Sequence, residues 1–338
     1  MEPTLQPVQQ IPPEIKDQYS STATHRVGLL SLGLIFAASA IVTTTYLQNT
    51  GLSHEATPPT AQAAILALPA DDSSSVFAST TLDAQAAFVL DVSRHRVLYT
   101  LNPDVQLPLA SITKVPMALV VSEVLRPDTH LTIPLDTAPK GSLERLAKDD
   151  IWRISDVIDF TLAASSNAGA TILADAADDG LHAQYPLAPR GGATLWRMND
   201  LARELGLTKT YFLNVSGLDE STTQSGAYGS ARDVATLFAY AASTSPEIFA
   251  ATTQPSFSLL SINGARTIAI NTDKVLDAIP GIVMGKTGYT DLAGGNLAIV
   301  FNAAPGHTIV AVVLGSTEQG RFTDMKKLIA GVSKTLSH

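Results

Sequence analysis

The sequence predicts an α+β fold, in which one sheet is built from distant parts of the chain with helices between its two groups of strands. Three observations carry this. β-type runs stand at both ends of the globular part of the chain, helical patterns fill the stretch between them, and no internal repeat relates one part to another. A sheet drawn from distant parts of the chain is the arrangement that pairs both groups of strands.

In chain order, the first organising segment is 27–47 (VGLLSLGLIFAASAIVTTTYL), which is uncharged and mostly apolar. About 20 such residues cross the hydrocarbon core of a bilayer as a helix. Lys16 and Arg26 precede it and no Lys or Arg follows until Arg94, which makes 1–26 a cytoplasmic tail and 27–47 a signal anchor with the remainder outside. A cleaved signal peptide processed at Ala38-Ser39-Ala40 is the alternative, and the length of the leader favours the uncleaved anchor. Residues 48–80 are rich in Thr, Ser, Ala and Pro without a sustained period and read as an extracytoplasmic linker. The remainder, 81–338, reads as the globular domain. Within it, 86–92 and 96–101 are strand-like runs separated by Ser93-Arg94-His95, a hairpin pattern. Apolar periodicity predicts helices over 111–126, 153–164, 168–177, 194–206 and 230–242. Strand character returns at 267–270, 281–284, 296–301 and 308–314, and a last helix covers 321–336.

Composition narrows the function. A net charge of −9 argues against nucleic acid as the main partner, and 45% hydrophobic content is ample for a core. The chain has no Cys, so disulfides and thiol catalysis are excluded. Its 7 His are scattered without metal-ligand spacing, so no metal and no cofactor is expected.

Three short motifs recur in one order: Ser111-Ile112-Thr113-Lys114, Ser165-Ser166-Asn167 and Lys286-Thr287-Gly288. Each alone is weak. Together they gather a nucleophile, two lysines, hydroxyls and an amide for acyl transfer. Ser111 stands where a helix begins, and residues at i and i+3 share a helix face, so Lys114 can reach its hydroxyl. A serine needs an adjacent base. A lysine serves as that base only when its pKa falls from ~10.4 toward neutrality, and about three units cost ~4 kcal/mol of destabilised ammonium. Burial and a second cation supply the shift, and Lys286 is the natural second cation. Read singly, Ser111 and Lys114 also fit an N-cap and a surface lysine, and the Ser165–Asn167 loop fits helix capping. Lys286 to Gly288 follow a strand-like run. Such an edge can pair with a peptide, and Gly288 allows close backbone approach.

Residues from about 85 to 330 resemble the low-molecular-weight penicillin-binding proteins, the serine-type D-alanyl-D-alanine carboxypeptidases of peptidase family S11. The resemblance extends beyond the triplet to AAFVLDVSRHRVLYTLNPD (86–104), MNDLARELGLTKTYFLNVSGL (198–218), Ser230-Ala231-Arg232-Asp233 and GKTGYTDLAGGNL (285–297). It implies the penicillin-binding and β-lactamase-like transpeptidase fold, an antiparallel sheet flanked by helices plus a helical subdomain. It implies Ser111 as acylated nucleophile, Lys114 as general base, and Ser165 and Asn167 on the proton path. Lys286 and Thr287 would bind substrate beside Gly288, the amides of Ser111 and Tyr289 would form an oxyanion hole, and Arg232 would face the substrate carboxylate. For Arg232 a salt bridge to Asp233 or another acid is the competing expectation. The implied substrates are peptidoglycan stem peptides ending in D-Ala-D-Ala, with β-lactams as inhibitors. Three departures are present: Ala168 follows the motif Asn, Lys114-Val115-Pro116 resembles class A β-lactamases, and no extra C-terminal β-domain is expected.

Three other readings remain open at this point: a β-lactamase, a D,D-endopeptidase of the same family, and a non-catalytic peptide-binding protein. A class A β-lactamase needs a carboxylate over a hydrolytic water, and only Glu204, Glu220 and Glu247 are glutamates between the second and third motifs.

Overall fold

The hydrophobic run of the first predicted strand has no polar face, and the structure supplies the reason. In this computed structural model, which describes residues 74–337 except 139, 141 and 143, strand β1 (Ala86–Asp91) is buried at every position. It pairs antiparallel with β2 (Arg96–Leu101) on one side and with β12 (His307–Ser316) on the other. The sheet continues through β11 (Gly294–Ala304) to β10 (Ile282–Thr290), in the order β10-β11-β12-β1-β2. The N- and C-terminal strand groups therefore merge, as the α+β reading requires.

Alternate residues of β1 enter different cores. Ala86, Phe88 and Leu90 point into the core that contains helix α6 (Ala231–Thr244), while Ala87 and Val89 point into the one that contains α7 (Gly320–Leu336). Successive strand side chains face opposite ways, so a sheet covered on both faces is apolar throughout. A single turn, α1 (Ser74–Phe77), precedes β1, and the Phe77 ring packs at a tilt against Tyr99, with centroids 5.0 Å apart, beside Gly331 of α7. Residues 74–80 of the expected linker are thus part of the packed body. The tail, the apolar run 27–47 and the rest of the linker lie outside the described residues. Among the described residues no helix is long and apolar enough to cross a membrane.

The second region is helical. At its centre α2 (Lys114–Ser122) is buried along nearly its whole length, among α3 (Ile154–Ala163), α4 (Asn167–Gln184), α5 (Ala193–Glu204) and α6. Two helices differ from the periodicity. The predicted helix 111–126 is split, with Ala110–Thr113 forming a 3-10 turn before α2. Helix α4 runs past 177 to Gln184, and Gly180 within it packs a bare Cα against Val124. Short pairs complete the fold: β3 (Leu107–Pro108) and β6 (Tyr211–Phe212) flank β7 (Ala227–Gly229), β4 (His130–Thr132) pairs with β5 (Ile151–Arg153), and β8 (Ser256–Leu260) pairs with β9 (Arg266–Ile270).

Candidate active site

The 3-10 turn at Ala110–Thr113 sits between the helical region and β10, and it carries Ser111. In a 3-10 turn residues i and i+3 eclipse, which puts Lys114 directly beside Ser111. The Lys114 Nζ lies 2.7 Å from Ser111 Oγ, 2.7 Å from Asn167 Oδ1 and 3.0 Å from the Ser216 carbonyl oxygen. Lys114 is fully buried, and burial first, then the nearby Lys286, hold its pKa well below the usual lysine value.

The contacts of Lys114 define its geometry as a base. Asn167 Oδ1 and the Ser216 carbonyl can only accept. A neutral amine has two N–H bonds, and these two acceptors take both. In that neutral form the lone pair would be left toward Ser111 Oγ, 2.7 Å away, where the hydroxyl could donate to it.

The second motif divides its labour. Ser166 is the N-cap of α4, its hydroxyl accepting from the Gly169 amide at 3.1 Å. Ser165 is held at φ +58°, and its hydroxyl accepts from Lys286 Nζ at 2.8 Å. Capping in this loop thus falls to Ser166, while Ser165 and Asn167 reach the two lysines.

Lys286, Thr287, Gly288 and Tyr289 lie on β10, an edge strand of the sheet. Lys286 is 2% exposed and also donates to the Thr287 carbonyl at 3.0 Å. Burial, then the cation of Arg321, lower its pKa to about 7, against a smaller opposing pull from Asp273. The Thr287 hydroxyl is hydrogen-bonded to Thr272 Oγ1. Gly288 is required by proximity, since a Cβ there would stand 2.8 Å from the Leu109 carbonyl oxygen and 3.2 Å from the Ser111 amide nitrogen. Tyr289 is exposed at the rim.

Arg232 is not brought to this cluster. Its guanidinium grips Asp104 with both arms, at 2.7 and 3.1 Å, and lies over the Phe88 ring. The salt-bridge expectation applies, with Asp104 as the acid; Asp233 instead accepts from the Lys209 amide and the Thr210 hydroxyl. The cation that the sequence reading missed is Arg321, at the start of α7. It donates to the Gly288 carbonyl at 2.6 Å and lies over the Tyr289 ring. An arginine in the first turn of a helix reads as solvated, so no local pattern announces it.

The three glutamates between the second and third motifs are otherwise engaged or remote. Glu204 pairs with Arg197, Glu220 accepts from Asn214 Nδ2, and Glu247 lines a separate cleft with Leu119 and Ile158. Among the described residues no group of His, Cys, Asp and Glu is arranged to hold a metal ion.

Residues 72–318 match the family described as D-alanyl-D-alanine carboxypeptidase. The chain is 31% identical over 242 residues to the D-alanyl-D-alanine carboxypeptidase DacB2 of Mycobacterium tuberculosis, covering 70% of this chain and 77% of that protein. It is 26% identical over 253 residues to DacA of Haemophilus influenzae, covering 73% of this chain but 61% of the relative, so it spans about three fifths of that protein's length. Penicillin-binding protein D2 of Listeria monocytogenes, solved in its ampicillin-bound form, superposes with a TM-score of 0.61 at 28% identity, covering 75% of this chain and 98% of that one.

Proposed function

The chain belongs to the D-alanyl-D-alanine carboxypeptidase family of serine-type penicillin-binding proteins, and from that membership and the geometry of Lys114 we propose that it removes the terminal D-alanine from peptidoglycan stem peptides. The observation that carries this is the buried Lys114 amine, whose two N–H acceptors leave its lone pair for Ser111.

Ser111 Oγ attacks the carbonyl between the two terminal D-alanines as Lys114 takes its proton. The tetrahedral oxyanion is met by the amides of Ser111 and Tyr289, a pair of donors worth ~3 kcal/mol each. The proton passes through the Ser165 hydroxyl, which Lys286 orients, to the leaving amine of D-alanine. Water then hydrolyses the acyl-enzyme, with Lys114 again the base. Lys286, Thr287 and Arg321 make the positive and hydroxyl-lined end of the groove that takes the substrate's terminal carboxylate. β-Lactams acylate the same serine. The β-lactamase reading lacks support, since Glu204 and Glu220 are held by other partners and Glu247 lines a separate cleft.

We place this domain outside the cell, tethered by 27–47, on the strength of that segment's apolar length and the Lys/Arg asymmetry around it. Resistance to alkaline extraction from membranes, lost on deleting 27–47, is the expected outcome. For the activity, the full chain and its Ser111→Ala variant are incubated with benzylpenicillin and followed by intact mass, beside D-alanine release from a D-Ala-D-Ala peptide. An adduct persisting for minutes, absent in the variant, together with D-alanine release supports the proposal. Rapid penicillin turnover without D-alanine release sinks it.

A further inference from the structure

The Ser216 carbonyl is half of the device that aims the Lys114 lone pair, yet Ser216 lies in a loop outside any helix or strand. Something must hold that carbonyl in place. Its neighbour Gly217 adopts φ +78°, and a Cβ there would fall 1.9 Å from the Ala110 carbonyl oxygen, so the loop is pressed against the nucleophile's own turn.

The side chain of Asn214 organises this loop. Its Oδ1 accepts from the Ser216 amide at 3.1 Å and from the Gly217 amide at 2.7 Å, on either side of the carbonyl in question. The Ser216 hydroxyl adds a third contact to the same oxygen at 3.3 Å. From the other end, Asn214 Nδ2 donates to the Leu218 carbonyl at 2.8 Å and to Glu220 Oε1. An Asn that binds the backbone two and three residues on imposes a turn. Space is kept for it: a Cβ on Gly226 would stand 2.3 Å from Asn214 Nδ2. The backbone of Asn214 is itself fixed, donating to the Gly226 carbonyl at 3.1 Å. A chain of direct contacts thus runs from a strand end, through one amide group, to the base.

We propose that Asn214 is a positioning residue for acyl transfer, holding the Ser216 carbonyl as the second acceptor of Lys114 so that the amine lone pair stays on Ser111. This rests on the acyl-enzyme reading given above. Asn214 touches neither substrate nor the reacting atoms, so its loss acts on the chemical step and leaves binding alone.

The test is a series at position 214, read as kcat and KM for D-alanine release, with melting temperature alongside. Asn214→Ala frees both amides, and kcat is expected to fall about 30- to 100-fold with KM within about twofold, the scale of a base misplaced by about 1 Å. Asn214→Asp keeps the acceptor for the Ser216 and Gly217 amides and is expected to retain kcat within about fivefold, the penalty coming from Glu220. Equal losses in the Ala and Asp variants, or a loss in KM alone, would overturn the proposal. Should Asn214→Ala fail to fold, Asn214→Ser decides, because its shorter hydroxyl serves the two amides more weakly. A fall in its kcat with KM and melting temperature unchanged supports the role, and an unchanged kcat rejects it. Wild-type enzyme that releases no D-alanine would reject the functional reading itself, and is seen separately from any effect at 214.

Discussion

On the sheet side of the site, Lys286 to Tyr289 occupy β10, whose pairing with β11 is unbroken from Gly285↔Ile299 to Thr290↔Gly294. On the helical side, Ser111 lies in a 3-10 turn and Ser165 and Asn167 at an interhelical loop, and these two segments hold two non-glycine residues of positive φ, Ala110 at +48° and Ser165 at +58°. The strand needs no strain, because register alone faces successive side chains to the two sides of the sheet. The turn and the interhelical loop do carry strain, at positions where the sparsely populated backbone is held by what surrounds it. The motif residues of the strand are therefore set by a ladder, and Ser111, Ser165 and Asn167 by a turn and an interhelical loop. Damage to the two should look different: sheet-side changes alter the fit of substrate and oxyanion, helical-side changes alter the chemistry.

The largest effect comes from the helical side. Ser111→Ala should remove D-alanine release and penicillin acylation by about 10⁴-fold or more, and Lys114→Met by about 10³-fold, with melting temperature unchanged or raised in the second case. The rise follows from burial: replacing a lysine that is fully buried with an apolar chain of similar length removes a desolvated amine. An active Lys114→Met enzyme would break the comparison, because the base would then have to come from elsewhere.

The sheet side is broken next, at Gly288. Gly288→Ala must move β10 away from the Leu109 carbonyl and the Ser111 amide, widening the oxyanion site. A drop of about 10²-fold in acylation is expected, near the cost of one lost oxyanion donor. The matched helical-side change is Gly217→Ala. It meets the Ala110 carbonyl at 1.9 Å with φ at +78°, so it should cost about 2–4 kcal/mol of stability as well as activity. Thermal melts of the two variants, measured together, check whether strain resides on one side only. A Gly288→Ala enzyme as unstable as Gly217→Ala would show that it does not.

These residues differ in how far the sequence discloses them. The triplet Ser111/Lys114, Ser165/Asn167 and Lys286/Thr287 was legible because the spacing within each motif matches the element that carries it. The hairpin of β8 and β9 was half legible: 267–270 reads as a strand, but β8 alternates between exposed and half-buried positions, and its real signal is Asn263-Gly264 in the connecting turn. Arg321 and Asn214 were not legible at all. Arg321 meets Gly288 across 33 residues, and Asn214 acts through a backbone carbonyl that no side-chain pattern encodes. The Asp104 partner of Arg232, 128 residues away, is likewise a tertiary fact, so one cation was assigned to the groove and the other passed over.

The smallest expected effect, and the sharpest test of the sheet side, is a shift in pH dependence. Lys286 has its pKa lowered to about 7, so the free enzyme loses that ammonium as pH rises through neutrality. If the ammonium helps to hold the substrate carboxylate, kcat/KM should fall above about pH 7, and its basic limb should move with the neighbours of Lys286. Arg321 pushes the pKa down and Asp273 pulls it up. Removing each charge should therefore act with opposite sign: Arg321→Met moves the basic limb to higher pH, and Asp273→Asn moves it to lower pH. Stability provides an independent check. Between about pH 7 and the ordinary lysine value, the unfolded chain keeps the proton that folded Lys286 has released, so stability rises with pH across that window. Lys286→Met should flatten the rise that Lys286 contributes, leaving the share of Lys114, whose pKa is lowered in the same sense. Limbs that move the same way in both charge variants would detach Lys286 from the basic limb and leave the strand's role to Thr287 and its backbone.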